Sequence, residues 1–367
     1  MAHSIKDVAE KAGVSIATVS RVLAGKGYIS AAARERVEAA VKELGYKPNR
    51  VARNLRARQS KVIGLILSDI RNPFFSEISR AVEAVAMKSG YSVLICNTDE
   101  DPKKEAKFLD LMSEEKVAGV LLSPTRAGAK RLQEYRKNSP PLVLFDRKLD
   151  GSGLDSVVID NFDAAFKLTR TLIDGGFQRI AGIFGAKSYT AGERIRGFRA
   201  AFGDEEGKIA GVYQIPAFES ESEKVIKEIL KLEPAVDAVL CSSALIASGA
   251  YKALVQRGVK MPEQMGFAAF DDPTWAGFVR PSVTVIRQPA VAIGQAGAEL
   301  LLKRIEDTGR PVTEMCLLGE LVVRESHAGA ARAGSFSAIS NHPGVLAGSA
   351  RGHEQAKPPA TAKSRIP

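Results

Sequence analysis

Residues 4–23 read Ser4-Ile5-Lys6-Asp7-Val8-Ala9-Glu10-Lys11-Ala12-Gly13-Val14-Ser15-Ile16-Ala17-Thr18-Val19-Ser20-Arg21-Val22-Leu23. The spacing predicts two short helices joined by a tight turn. Ser4 stands where it can cap the first helix, with Asp7 in the reciprocal position of a capping box. Val8, Ala9 and Ala12 give that helix one apolar face, and Gly13 suits a turn that needs positive φ. Ser15 can cap the second helix. Val19, Val22 and Leu23 fall at i, i+3 and i+4 and face the first helix. That leaves Ser15, Ile16, Ala17, Thr18, Ser20 and Arg21 at the start or on the outside of the second helix, where a recognition helix meets the major groove. An ordinary helical hairpin is the competing reading of these twenty residues alone.

The next stretch weighs against the ordinary hairpin. Ser30 can cap a third helix running to Leu44, whose Val37, Ala40, Val41 and Leu44 can cover the first two. Gly45 ends it and Pro48 prevents its continuation. Residues 49–58 then read Asn-Arg-Val-Ala-Arg-Asn-Leu-Arg-Ala-Arg. Asn49 is an N-cap candidate, and four arginines follow in a helix of only roughly 15 Å. So short a helix is marginal alone and is expected to form on DNA.

Asp7-Val8-Ala9, Ala12-Gly13-Val14-Ser15, Ala17-Thr18-Val19-Ser20-Arg21-Val22-Leu23 and Gly45-Tyr46-Lys47-Pro48-Asn49 carry a specific resemblance. The chain resembles the lactose-repressor (LacI/GalR) family of transcription regulators from about residue 4 to residue 327. The resemblance implies a homodimer on double-stranded operator DNA, switched by a small effector. It also implies that Arg50, Arg53 and Arg56 hold the phosphates and groove walls, while Leu55 wedges into the minor groove and kinks the duplex. Packing of Leu55 on the body, as a mere tether, is the alternative.

Charge is placed accordingly. The chain of 367 residues carries a formal +10. Residues 1–60 hold 12 Lys+Arg against 5 Asp+Glu, residues 331–367 hold 5 against 1, and the middle is left close to neutral. A basic head on a neutral body points to nucleic acid bound at one end. Cys96, Cys241 and Cys316 form no CxxC pair, so reduced thiols are expected, with no disulfide framework, metal site or cofactor. The N-terminus has no apolar signal region and no apolar run approaches 18 residues, so a cytoplasmic protein with no membrane span is expected.

The body alternates strand and helix in two rounds. Strands are expected at residues 61–67, 91–96, 117–122, 142–145, 179–184, 238–240 and 266–270, with a further strand end at 157–159. Helices are expected near 75–89, 103–115, 194–202 and 244–257. The resulting fold class is an α/β two-lobed core of two doubly wound parallel sheets, like the periplasmic binding proteins, preceded by an all-α helix-turn-helix domain. Ligand is expected between the lobes, at the carboxyl ends of the strands. The expected domains are residues 1–48 (DNA-binding), 49–60 (hinge helix and linker), 61–327 (effector binding and dimerisation) and 328–367 (disordered tail). By the family resemblance the chain crosses between lobes three times, returning residues near Gln288–Cys316 to the first lobe.

The polar and aromatic residues after strand ends have the composition of a sugar site, with hydroxyl partners round a rim and rings on the faces. By resemblance to the ribose-binding pattern, Phe74 and Phe75 would stack on a sugar ring. Asn72, Asp146, Arg147, Asn161, Arg194, Asp271 and Gln288 would bond hydroxyls, and Phe218 would close the other face. Each has a structural alternative: Asn-Pro starts turns, Phe74 can be core, and Asp146-Arg147 can be an ion pair. Trp275 fits a pocket wall and a packed loop equally well. One departure concerns Ser243-Ala244, where the family commonly has Asn-Asp. It leaves fewer donors and more room, which keeps a bulkier sugar, or a sugar acid facing Arg147 and Arg194, open beside plain ribose.

The tail from Ala330 is rich in Ala, Gly, Ser and Pro, too poor in apolar side chains to fold alone. Phe336, Ile339, Val345, Leu346 and Ile366 do not fall on heptad positions, so a dimer without a tetramerising tail is expected. Two other classes remain. A transport receptor conflicts with the attached DNA module. A sugar-acting α/β enzyme lacks a nucleophile elbow, P-loop or metal cluster, and His3, His327, His342 and His353 all lie near the ends of the chain.

Overall fold

The computed structural model describes residues 3–24, 28–46, 60–126, 132, 135, 139–149, 151–186 and 189–328. The expected hinge (Asn49, Arg50, Arg53, Leu55, Arg56) and the tail beyond Ala328 lie outside these residues.

The head is three helices: α1 (Ile5–Ala12), α2 (Ile16–Ala24) and α3 (Ala31–Glu43). Ser4 accepts from the Asp7 backbone, and Asp7 accepts from the Ser4 backbone at 2.7 Å, so the capping box is complete. Gly13 has φ 63°, the left-handed turn that an added Cβ would strain. Ser15 Oγ accepts from the Thr18 backbone at 3.1 Å and caps α2. Val8, Val19 and Val37, one from each helix, are wholly buried and form the small core.

The first lobe contains β1 (Val62–Leu67), α4 (Pro73–Lys88), β2 (Ser92–Asn97), α5 (Pro102–Glu114), β3 (Val120–Leu122), β4 (Leu142–Phe145) and β5 (Asp155–Ile159). The second contains α6 (Asn161–Asp174), β6 (Ile180–Gly185), α7 (Tyr189–Ala200), β7 (Ile209–Ile215), α8 (Glu219–Ile229), β8 (Ala238–Cys241), α9 (Ala244–Gln256), β9 (Gly266–Phe270) and β10 (Thr284–Arg287). The chain then returns to the first lobe for α10 (Ala290–Glu306) and β11 (Glu314–Leu317), and ends in the second with β12 (Glu320–Val322). The three crossings therefore fall at residues 159–161, 287–290 and 317–320.

The first sheet runs β11-β5-β4-β3-β1-β2, all parallel. The second runs β12-β10-β9-β8-β6-β7, parallel except for β12. Helices cover both faces, so central strands are buried throughout and read as continuous apolar runs. Strand β3 is shorter than expected: Ala118 and Gly119 already bond to Val62 and Gly64 of β1, but the paired register starts at Val120. Sequence periodicity also passed over β7, β10–β12, α6, α8 and α10.

Glycine decides one close approach that matters for the cleft. A Cβ on Gly197 of α7 would sit 2.2 Å from the Phe162 carbonyl oxygen of α6. Its absence lets the two helices close up, which carries Arg194, one turn earlier on α7, against Asn161 at the start of α6.

Candidate effector cleft and DNA-facing surface

The parallel strands of both lobes deliver their carboxyl ends to one cleft, and the turns there are built from capping residues. Asn72 caps α4 by accepting from the Phe74 backbone at 3.1 Å, with Pro73 in the first turn. Ser243 caps α9. Asp146 and Asp271 follow β4 and β9 at equivalent places in the two lobes, with φ 64° and 69°. Asp tolerates this left-handed backbone better than most residues, and the turn aims each carboxylate into the cleft.

A cavity of about 80 Å³ lies there, lined by Asn72, Phe74, Phe75, Asp146, Arg147, Arg194, Ser243, Asp271 and Gln288 together with Asp69, Glu100, Thr190, Ser242 and Leu245. Phe74 and Phe75 meet edge to face, with centroids 5.1 Å apart. Both are also part of the first lobe's core, so the pocket wall and the core are one surface here. Asp271 gathers the two lobes. Its Oδ2 accepts from Asn72 Nδ2 of the first lobe at 3.1 Å and from the Ala244 backbone at 2.9 Å. Its Oδ1 accepts from Gln288 Nε2 at 2.6 Å, on the second crossing. Gln288 Oε1 is buried without a protein partner.

The two cleft arginines differ. Arg147 donates Nε to Asp146 at 3.1 Å, Nη1 to Glu100 Oε2 at 2.7 Å and to the Pro124 carbonyl at 3.1 Å, and Nη2 to Glu100 Oε1. Burial opposes its charge, but Glu100 and Asp146 outweigh that and raise its pKa above the ordinary arginine value. Arg194 has its Nε on Asn161 Oδ1 at 2.8 Å, its Nη1 on the Ser242 carbonyl at 2.6 Å and its guanidinium 4.0 Å from the Phe270 ring centroid. It makes no ion pair among the described residues, and burial lowers its pKa against the more distant pull of Asp271 and Asp146. Burial likewise pushes the Asp146 carboxyl up, with Arg147 and Arg194 opposing.

Two expected site residues lie elsewhere. Asn161 is behind Arg194 and orients it, outside the cavity lining. Phe218 is 45% exposed at the mouth, under Arg71 of the other lobe at 4.8 Å, because it precedes α8 instead of ending a strand. Trp275 packs on Tyr251, centroids 5.5 Å apart, beneath its loop. Glu100 and Asp69 went unread in the sequence. Their signal was the one applied to the other strands, namely polar residues just past the ends of β2 and β1.

The head presents its outer face as expected. Ile16, Ala17 and Arg21 are exposed and Ser20 half-buried on α2. Ser15 and Thr18 are engaged with each other at 2.9 Å as well as in the cap; that bond uses one hydroxyl proton, and the other can donate to a phosphate or base edge. Among the described residues no group of His, Cys, Asp and Glu is arranged to hold a metal ion, and no helix is long and apolar enough to cross a membrane.

Comparison with known proteins gives two family matches. Residues 4–49 match the family "Bacterial regulatory proteins, lacI family", and residues 60–317 match "Periplasmic binding proteins and sugar binding domain of LacI family". The ribose operon repressor of Halalkalibacterium halodurans is 38% identical over 328 residues, covering 89% of this chain and 97% of that protein. The ribose operon repressor of Bacillus subtilis is 34% identical, covering 86% and 94%. Among solved structures, the lac repressor dimer bound to operator and the anti-inducer ONPF superposes with a TM-score of 0.81 at 25% identity, covering 90% of this chain and all of that one.

Proposed function

The chain belongs to the lacI family of bacterial regulatory proteins, and from that premise we propose that it represses a carbohydrate-utilisation operon under control of a small sugar bound between its lobes. The observation that carries this reading is the convergence of Asn72, Asp271 and Gln288 from the first lobe, the second lobe and a crossing onto one small cavity. A ligand that takes over these bonds interacts differently with open and closed lobes, and that differential affinity is what a switch requires. A cavity of about 80 Å³ is far below the roughly 300–1,000 Å³ of drug-sized sites, which supports a small ligand such as one sugar ring over a large one. The named function of the two ribose operon repressors makes ribose the first candidate.

In this reading residues 1–48 form the DNA-binding domain, 49–60 the hinge and 61–327 the effector and dimerisation domain. The chain acts as a homodimer on double-stranded operator DNA, in the cytoplasm. Ser15, Ile16, Ala17, Thr18, Ser20 and Arg21 meet the major groove, and the hinge residues Asn49, Arg50, Arg53, Leu55 and Arg56 meet the minor groove. The effector is held by the cavity residues, with Arg194 set by Asn161. Phe218 closes over the mouth with Arg71. Sugar changes how the first lobes sit in the dimer, and so the spacing at which two hinges insert their Leu55 side chains.

The test is operator binding by the full chain, with and without D-ribose, for wild type and Leu55→Ala. The expected wild type bends operator in a circular-permutation gel shift and changes its affinity on adding sugar. Leu55→Ala is expected to bind sugar normally and to lose most bending. Unchanged bending in Leu55→Ala refutes the wedge. Operator affinity indifferent to ribose and to a panel of other monosaccharides refutes the effector reading.

A further inference from the structure

Glu100 has no place among the sugar-bonding residues expected from the sequence, yet it occupies the cleft in an unusual way. It follows β2 with φ 60°, directly after Asp99 at φ 52°. Two successive residues other than glycine in this region cost backbone energy that the surroundings must offset. The turn delivers the Glu100 carboxylate to the cavity lining, where it grips both Nη atoms of Arg147. Fork-to-fork pairing of this kind uses the very face with which an arginine would take a ligand's carboxylate.

The charges round the cavity then sort themselves. Asp69 is held bidentate by Arg71, at 2.8 and 2.7 Å. Glu100 is held by Arg147. Asp146 shares Arg147 through its Nε at 3.1 Å, and Asp271 has only the more distant Arg194, so with all groups ionised the four carboxylates exceed the three guanidiniums by one charge. An anionic ligand would raise that excess to two beside Asp146, Arg147, Arg194 and Asp271, all buried, where charge is poorly screened. Arg194 cannot rescue such a ligand cheaply. Its Nε and one Nη1 proton are committed to Asn161 and Ser242, and its guanidinium face lies on Phe270. An uncharged sugar meets none of these costs. Its hydroxyls can donate to the buried Gln288 Oε1 and to the carboxylates, and accept from the remaining Arg194 protons.

We propose that Glu100 is a specificity-determining residue, which spends the charge of Arg147 inside the protein and so admits uncharged sugars to the cleft while excluding sugar acids. This rests on the cleft being the effector site. It narrows the ligand classes left open by the sequence to uncharged sugars and sets aside the alternative of a sugar acid facing Arg147 and Arg194.

Calorimetric titration of the full chain with D-ribose and with D-ribonate tests it. Comparing the ratio of the two affinities between variants cancels the difference in shape between the ligands. Wild type is expected to prefer ribose. Glu100→Gln keeps the side chain's size but releases one charge on Arg147, and is expected to shift the ratio towards ribonate by about tenfold or more. Glu100→Asp keeps the charge and is expected to stay within a few-fold of the wild-type ratio. An unchanged ratio in a folded Glu100→Gln, or a wild type that takes ribonate as tightly as ribose, overturns the proposal. If Glu100→Gln fails to fold, the wild-type and Glu100→Asp ratios decide, and a ribonate preference in either overturns it. A wild type that binds neither ligand, nor any neutral monosaccharide, overturns the effector reading beneath it.

Discussion

Replacing Asp271 separates the electrostatic from the structural work of the residue that joins the lobes. In Asp271→Ala the Ala244 backbone N–H, the Asn72 amide and the Gln288 amide lose their shared acceptor. The Ala244 donor is the costliest, because that residue is only 3% exposed and a backbone group cannot turn away. An unmet buried donor costs about 1–3 kcal/mol. Alanine at φ 69° adds roughly 1–2 kcal/mol, since its Cβ crowds the following carbonyl. Asn72 and Gln288 can swing towards water, so the total is about 2–5 kcal/mol. Asp271→Asn behaves differently. Asparagine tolerates the left-handed backbone, and its oxygen can keep the Asn72 and Ala244 bonds. Its amide then faces Gln288, whose flipped side chain presents the Oε1 that is unpartnered now. Only charge assistance is lost, about 1 kcal/mol. Urea unfolding followed by fluorescence reads this directly, because Trp275 is the sole tryptophan and packs in the same lobe as Asp271. Midpoints that are equal for the two variants at equal slope would refute the three-donor account.

Three further outcomes follow from particular side chains. Arg21→Ala is expected to cost about 1–3 kcal/mol of operator binding at one guanine per half-site, read by anisotropy with guanine-substituted operators. A loss of affinity that is uniform over all operator sequences would make Arg21 a phosphate contact. Glu105 is 1% exposed and burial raises its pKa, against its bonds to Thr125 and the charge of Arg147. The folded state therefore holds this proton more tightly than the unfolded chain. Stability is lost as pH rises from the ordinary glutamate value through the raised one, and Glu105→Gln should flatten that part of the stability–pH curve. A parallel curve for the variant would show that Glu105 does not titrate there. Gly197→Ala forces α6 and α7 apart and should destabilise by about 1–3 kcal/mol. It should also weaken ribose binding through the displaced Arg194, whereas calorimetry showing wild-type affinity would detach the helix approach from the site.

The helix-turn-helix was legible because its determinants are local. Ser4, Asp7, Gly13 and Ser15 act within four residues of themselves, so a linear reading captures both caps and the turn. The buried strands were legible for a similar reason, since a strand covered on both faces is apolar at every position. The short strands β10–β12 and helices α6, α8 and α10 were not, because their polar and apolar residues are sorted by neighbours distant in sequence. β11, for example, joins the first sheet beside β5 across some 150 residues.

The residues just past the strand ends gave up most of the cleft as a set, but not its wiring. Asn72 and Asp271 are 199 positions apart, and only the meeting of the lobes makes them partners. Phe218 has the right residue type and the wrong place, and Glu100 has the right place without an obvious role until Arg147 lies beside it. The sequence by itself therefore determined which residue types reach the cleft, because that follows from where strands end. The charge left over for a ligand was decided by the tertiary structure alone. It depends on which carboxylate pairs with which guanidinium, and Coulomb energies are set by distances in space.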